Sequence, residues 1–235
     1  ARQRRHLQSA RERLAHERSA HVAGSEHQHR PARPGCRVVH AGDRNAVATA
    51  AKHFTLPRMS SAPSVLVVLM NGFEEIEAVA PIDLLRRAGA RVVLASLGPE
   101  PTVIGRCNLA LLAETTLAVA AQQPYDLIFL PGGPGVKHLR ADARVVPLVQ
   151  AQVAAGRLVA AICAAPLVLH DAGLLAGRRY TAFPATEDEL PHILHDQRVV
   201  EDGPLLTSRG AGTALDLGYA MVARLFTPAK AEELR

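Results

Sequence analysis

The chain has 235 residues, with 27 basic and 22 acidic side chains, three cysteines and no tryptophan, enough for one domain with a sizeable core plus an extension. Three widely spaced cysteines, Cys36, Cys107 and Cys163, exclude a disulfide framework and a CxxC metal signature. No apolar run approaches the ~20 residues of a membrane span.

The formal charge of +5 is unevenly spread. Residues 1–58 hold twelve basic and four acidic side chains, so the remaining 177 residues carry a net −3. Seven of the eleven histidines also precede Met59. The basic character therefore describes a leading segment rather than a folded surface. That segment is rich in Arg, His, Ala and Gln, and HQHRPARPG breaks any regular structure within it. It buries too little apolar area to offset its ordering entropy. We read it as a disordered extension upstream of a natural start at Met59. A nucleic-acid-binding arm would interleave aromatics, and Phe54 is the only one here. An amphipathic targeting peptide is the other reading. The basic start has no apolar h-region of a secretory signal. Together with the cysteine usage this points to a reducing, cytoplasmic setting.

From Ser64 the pattern changes. SVLVVLM is a nearly continuous apolar run, as in a parallel strand covered on both faces. NGFEE is a turn. Glu75 to Ala88 reads as a helix, with Ile76, Val79, Ala80, Leu84 and Leu85 at helical spacing and Gly89 as its C-cap. Arg91–Leu97 is a second strand. Short strands are expected around Thr102–Ile104 and Leu109–Leu112, then a buried strand at Asp126–Pro131 that ends in Gly132-Gly133-Pro134-Gly135. A helix is expected over Asp142–Gly156, then a strand at Leu158–Ile162. Gln197–Glu201 and Pro204–Ser208 bracket an Asp202-Gly203 hairpin turn. Thr213 to Phe226 reads as the last helix. Strands alternating with helices predict an open, mostly parallel α/β sheet with helices on both faces. In such sheets ligands bind at the carboxyl edge, near a topological switch point.

Three strand ends there carry chemically interesting residues. Cys163 follows Ile162 directly and precedes a helical run, which makes it a nucleophile at a strand-to-helix corner. The positive end of that helix should favour the thiolate. A buried apolar cysteine is the plainer reading. Glu77, flanked by Ile76 and Ala78, is placed to point inward. A protonated carboxyl there would donate to the sulfur, whereas a charged one would repel the thiolate. Glu74 and Glu75 are expected to face solvent, and all three acids could simply start a helix. Gly132 and Gly133 let the backbone approach a ligand and aim N–H groups at developing negative charge. His138, His170, His192 and His195 are the only histidines after Met59. None is adjacent to Cys163, and no HxxxH or HExxH spacing occurs. Glu187, Asp188 and Glu189 read as a solvated helix start.

The motifs GFEEIEAVAPIDLLRRAG, YDLIFLPGGPG, VAAICAAPLVL, FPATEDELP and RVVEDGPLLTSRGAGTALD, in that order, resemble the ThiJ/PfpI superfamily. The similarity is to its DJ-one and YajL-like branch, from Ser64 to about Phe226. It implies a flavodoxin-like fold related to the class I glutamine amidotransferases, with residues 59–235 as the family domain. It also implies that Cys163 is the oxidation-sensitive nucleophile and Glu77 its protonated partner, with Gly132, Gly133 and Ala164 as the small backbone residues around the sulfur. Ala164 stands where the protease-like branch has His, which argues against peptidase chemistry. Phe183 stands where the animal branch has His. Gly105-Arg106-Cys107-Asn108 shifts an arginine by one place, Ala211 replaces a common Pro, and the chain stops before most of a C-terminal helix.

The resemblance implies a cysteine-dependent enzyme acting on small reactive carbonyls. Its reactions would be glyoxalase activity on methylglyoxal, deglycation of early adducts on proteins and nucleotides, or both. The protein would be a homodimer, use no metal or organic cofactor, and need neither membrane nor nucleic acid as partner. The rival is a redox-sensing chaperone in which Cys163 is oxidised with little turnover. An amidase or peptidase of the PfpI type comes third.

Overall fold

A computed structural model describes residues 62–235. The readings made for residues 1–58, including Cys36, lie outside the described residues.

The run SVLVVLM forms β1 (Ser64–Leu69), in which Val65 to Leu69 are fully buried. A strand buried on both faces must lie inside a sheet, and β1 does. The helix α1 (Glu75–Ala88) and β2 (Arg91–Ser96) follow. Gly89 ends α1 in the left-handed region at φ 98°, its N–H bonded to the Arg86 and Leu85 carbonyls. Next come β3 (Thr102–Ile104), β4 (Ala110–Leu112), β5 (Thr115–Thr116), α2 (Leu117–Ala120) and β6 (Leu127–Leu130). They are followed by α3 (Val136–Ala141), α4 (Val145–Ala154), β7 (Leu158–Ile162) and α5 (Pro166–Asp171). The chain closes with β8 (Val199–Asp202), β9 (Leu205–Ser208), α6 (Ala214–Leu225) and α7 (Pro228–Glu233).

Seven strands make one sheet in the order β5-β2-β1-β6-β7-β9-β8, while β3 and β4 form a separate antiparallel pair. Every pairing in the large sheet is parallel except β8 with β9. The chain leaves β1 toward β2 on one side and returns to β6 on the other. The switch point therefore lies between β1 and β6. Helices cover both faces: α1 packs along α6, whereas α3, α4 and α5 pack together beside β7. Phe73 and Phe129 are the largest fully buried side chains of the core. The expected α/β architecture is the observed one.

Some local readings change. The helix expected over Asp142–Gly156 starts at Val145, because Asp142 caps a tight turn instead. Its Oδ1 accepts the Arg144 N–H at 3.0 Å, and its carboxylate holds the Arg144 guanidinium at 2.6 Å. The preceding α3 was hidden by the glycines that lead into it. The hairpin turn is Gly203-Pro204, one residue later than expected. Asp202 stays in its strand and its carboxylate accepts from the Arg179 backbone N–H and from the Arg178 guanidinium, both at 3.0 Å. No α-helix starts at Glu187–Glu189: a 3-10 turn at Pro184–Thr186 precedes them, and Glu189 pairs with Arg140 at 2.7 Å. A short C-terminal helix, α7, is present.

Candidate active site

Buried strands β1, β6 and β7 deliver their carboxyl ends to one place, and the turns that follow carry the candidate residues. Cys163 leaves β7 at φ +64°, a left-handed conformation rarely taken by a residue with a Cβ. The surroundings hold it there. Its N–H donates to the Ser208 carbonyl at 2.9 Å, and its carbonyl accepts from Phe183 N–H at 2.8 Å. Both backbone groups are thus engaged, and the half-buried thiol is turned off the sheet edge.

Glu77 lies in the first turn of α1 and is 1% exposed. Glu74 positions it by acting as the N-cap: its carboxylate accepts the Glu77 N–H at 2.8 Å. The Cys163 thiol and the Gly132 backbone N–H face the Glu77 carboxyl. Gly132 is needed for that approach, since a Cβ there would collide with Glu77 Oε2 and with Cys163 Cβ. Gly133 has φ +100°, and a Cβ would press on Glu74 N and Gly72 O at 2.6 Å. The N–H groups of Gly133 and Ala164 both point at the sulfur. The five residues expected to form the site are therefore neighbours.

The electrostatics differ from the expected helix effect. The helix after Cys163 has only six residues and starts at Pro166. The Gly133 and Ala164 N–H groups draw the thiol downward. They are outweighed. Burial, then the charge of Glu77 and its hydrogen bond, push the thiol up to about 12. Glu77 is pushed up to about 7, first by burial and then by the charge of Glu74, with the thiol, Gly132 and Arg106 opposing. Two of the three influences that raise Cys163 require an ionised Glu77. The groups therefore titrate as a pair. Between those two values the pair holds one proton. On the carboxyl, that proton is donated to a thiolate that two backbone N–H groups already stabilise. Burial of the Glu77 side chain, 1% exposed, favours the neutral carboxyl, since burying a charge is costly.

Glu74 and Glu75, expected in solvent, are 9% and 6% exposed. Glu74 folds back as the cap. Glu75 is covered by the loop between β3 and β4, where its Oε1 accepts Cys107 N–H at 2.6 Å. Arg106 on that loop is close enough to oppose the rise in Glu77. Sequence reading gave neither residue a place at the site, because a hairpin must fold across α1 to bring them there.

Next to Gly210, across from the Glu77 carboxyl, lies a cleft of about 410 Å³ lined by Phe183, Pro184, Arg198, Arg209, Gly210 and Thr213. A Cβ on Gly210 would lie 3.7 Å from both Glu77 Oε1 and the Phe183 ring, so Phe183 stands across Gly210 from the carboxyl. A larger cleft of about 720 Å³ opens at the ends of β1 and β2. Its polar groups are largely occupied with one another. Asn71 Oδ1 accepts Ile104 N–H, Ser96 Oγ donates to Gly98 O, and Arg144 is held by Asp142 and Leu97 O. The smaller cleft is the one that adjoins Glu77, through Gly210. Among the described residues, no three His, Cys, Asp or Glu side chains are grouped to hold a metal ion, and no helix is long and apolar enough to cross a membrane.

The chain is similar to known proteins. The DJ-1/PfpI family matches residues 63–224. Protein DJ-1 homolog B of Arabidopsis thaliana is 41% identical over 175 residues, 73% of this chain but only 40% of that longer protein. Protein dj-1beta of Drosophila melanogaster is 37% identical over 73% of this chain and 94% of its own. Its crystal structure superposes with a TM-score of 0.72 at 36% identity, covering 74% of this chain and 96% of that one. A Caenorhabditis elegans relative named glutathione-independent glyoxalase DJR-1.2 is 32% identical over 75% of this chain and 96% of its own. With the motifs, the sheet order and these matches in agreement, the chain belongs to the DJ-1/PfpI family.

Proposed function

We propose that this protein is a cofactor-independent glyoxalase that converts methylglyoxal to lactate, with deglycation of early carbonyl adducts as the same chemistry on a larger substrate. The observation that carries the reading is the buried Glu77 carboxyl, raised to about 7, facing a thiol backed by two N–H groups. A named glyoxalase among the relatives supports it.

In this reading the Cys163 thiolate adds to the aldehyde carbon, and the resulting oxyanion is held by the Gly133 and Ala164 N–H groups. Glu77 supplies the proton to that oxygen. It then removes the C1 hydrogen, giving an enediol-like species, and returns the proton to C2. The product is a lactoyl thioester. Water hydrolyses it, releasing lactate and the thiolate. A group titrating near 7 suits a proton shuttle at neutral pH. The protein works as a homodimer in a reducing compartment.

Lactate production from methylglyoxal by the purified protein, beside a Cys163→Ser control, tests the proposal. Lactate in the first and none in the second is expected. No lactate from the wild type sinks it. The half-buried thiol also supports the redox-sensor reading, in which mild peroxide oxidises Cys163 before the exposed Cys107 and turnover is negligible.

A further inference from the structure

We infer that Arg140 is a positioning residue for the Cys163 site, acting through a guanidinium that ties together three segments, each of which begins at a wall of that site. Arg140 lies on α3, the helix that follows the Gly132–Gly133 turn. Its Nε and Nη2 donate to the two carboxylate oxygens of Asp171 at 2.7 and 2.8 Å. Asp171 is the last residue of α5, the helix that follows Cys163 and Ala164. Arg140 Nη1 and Nη2 also donate to Glu189, at 3.0 and 2.7 Å. Glu189 belongs to the loop that begins at Phe183.

That loop has little regular structure, but hydrogen bonds carry the position of Glu189 back to the nucleophile. Glu189 N–H and Leu190 N–H donate to the Thr186 carbonyl at 3.1 and 2.9 Å. Thr186 in turn donates to the Phe183 carbonyl through its N–H at 3.0 Å and its hydroxyl at 2.7 Å. Phe183 N–H donates to the Cys163 carbonyl. An unbroken relay thus runs from Arg140 through Glu189, Thr186 and Phe183 to Cys163. At its far end the Phe183 ring, 45% exposed, forms the outer wall of the cleft. Without the Glu189 anchor the loop loses its charged tether, and the wall should open.

Chelating two carboxylates at once requires a planar fork. A lysine is a single charge point and cannot reproduce it. The Arg140 and Asp171 side chains are 29% and 26% exposed, so this pair is shielded from water better than most surface pairs, while Glu189 is 50% exposed. Replacing Glu189 therefore threatens the fold least.

The inference rests on Cys163 being the reacting group of the proposed function, and on nothing about which carbonyl compound reacts. Two readouts separate the ideas. One is kcat and KM for methylglyoxal. The other is the ratio of Cys163 alkylation rates with N-ethylmaleimide and with the smaller iodoacetamide, followed by peptide mass spectrometry on the full-length protein. Arg140→Lys and Glu189→Ala should raise KM and the rate ratio by about three- to tenfold, the size of coupling within one ion-pair network, with a smaller change in kcat. Glu189→Gln, which keeps an acceptor, should fall between Glu189→Ala and the wild type. Adding Glu189→Ala to Arg140→Met should change neither readout further. If the melting temperature falls while KM and the rate ratio stay at wild-type values, Arg140 is a structural ion pair and the inference is overturned. If Arg140→Met does not fold, Glu189→Ala alone decides. A shifted rate ratio in a protein that makes no lactate would remove the glyoxalase reading and leave the positioning role standing.

Discussion

In the proposed mechanism, one proton shared between Cys163 and Glu77 governs reactivity. Loss of the first proton from the pair near pH 7 creates the state that can present a thiolate. If the remaining proton sits on Glu77, alkylation of Cys163 by iodoacetamide should rise with pH through an inflection near 7, below the ~8.5 of a free thiol; an inflection only above ~8.5 would place that proton on the sulfur. Glu77→Gln removes the group that takes that inflection. Burial then dominates, and the inflection should move above ~8.5. Turnover should fall by ~10²–10⁴, the contribution of a general acid–base group. Wild-type turnover in Glu77→Gln would falsify the shuttle and favour the redox-sensor reading. Glu77→Leu, which cannot donate to the sulfur, should abolish both turnover and easy oxidation.

The same carboxyl makes a stability statement. Glu77 is raised from 4.5 to about 7 on folding. Between those values the folded state binds more protons than the unfolded one, so stability falls as pH rises through this window. Below pH 4.5 the group contributes no penalty; above 7 the penalty is complete, at most ~3 kcal/mol for a shift of that size. Glu77→Gln should thus be more stable than wild type at pH 8 and closest to it near pH 4.5. Thermal melts at the two pH values check the sign, and equal differences at both would show that this deprotonation is not the cause.

At the scale of elements, the site depends on α1 being held at one height on the sheet. Its tightest contact is with α6, where Gly218 lets the helices close. A Cβ there would meet Leu84 Cδ1 at 2.7 Å and Pro81 Cα at 3.3 Å. The Leu84 tip can swing aside, but the Pro81 backbone cannot. Gly218→Ala should be tolerated, because the gain in helix propensity offsets the crowding. Gly218→Val should cost about 1–3 kcal/mol as overpacking. It should also lower turnover, by moving Glu77 relative to the thiol. Chemical denaturation and a lactate assay on the same samples separate the two effects; lost stability with full turnover would show that the site tolerates movement of α1.

At the scale of the whole molecule, one face is poorly covered. Ile76 and Val79 on α1 are 56% and 44% exposed, and Leu109 and Leu112 at the β3–β4 hairpin are 59% and 70% exposed. Beside them Glu75 Oε2 is buried without a partner among the described residues. Such a patch is the proposed homodimer surface. Ile76→Glu should convert the dimer to monomer in sedimentation analysis; a wild-type monomer would remove the proposal. Removing residues 1–58 should leave the melting temperature and turnover unchanged, since the first core strand starts at Ser64. It should also reverse the sign of the net charge. A collapsed melting temperature would mean that the segment packs on the domain.

The sequence by itself determined the alternation of buried strands and helices, the Cys163 corner, the αL cap at Gly89 and the small residues Gly132 and Gly133. Each of these is a local requirement: apolar runs must be buried, and a left-handed or crowded backbone position restricts which residue can occupy it. Glu77 could be singled out because the acid lies between apolar neighbours in a helix. The tertiary structure decided everything that depends on what covers what. Glu75 is buried only because a distant hairpin crosses α1, and Ile76 and Val79 remain exposed although their spacing marks an apolar face. The thiol is raised rather than lowered because burial and a neighbouring carboxyl outweigh two N–H groups. The tether of Arg140 to Asp171 and Glu189 joins residues 31 and 49 positions apart, and neither local propensity nor periodicity carries information over that separation.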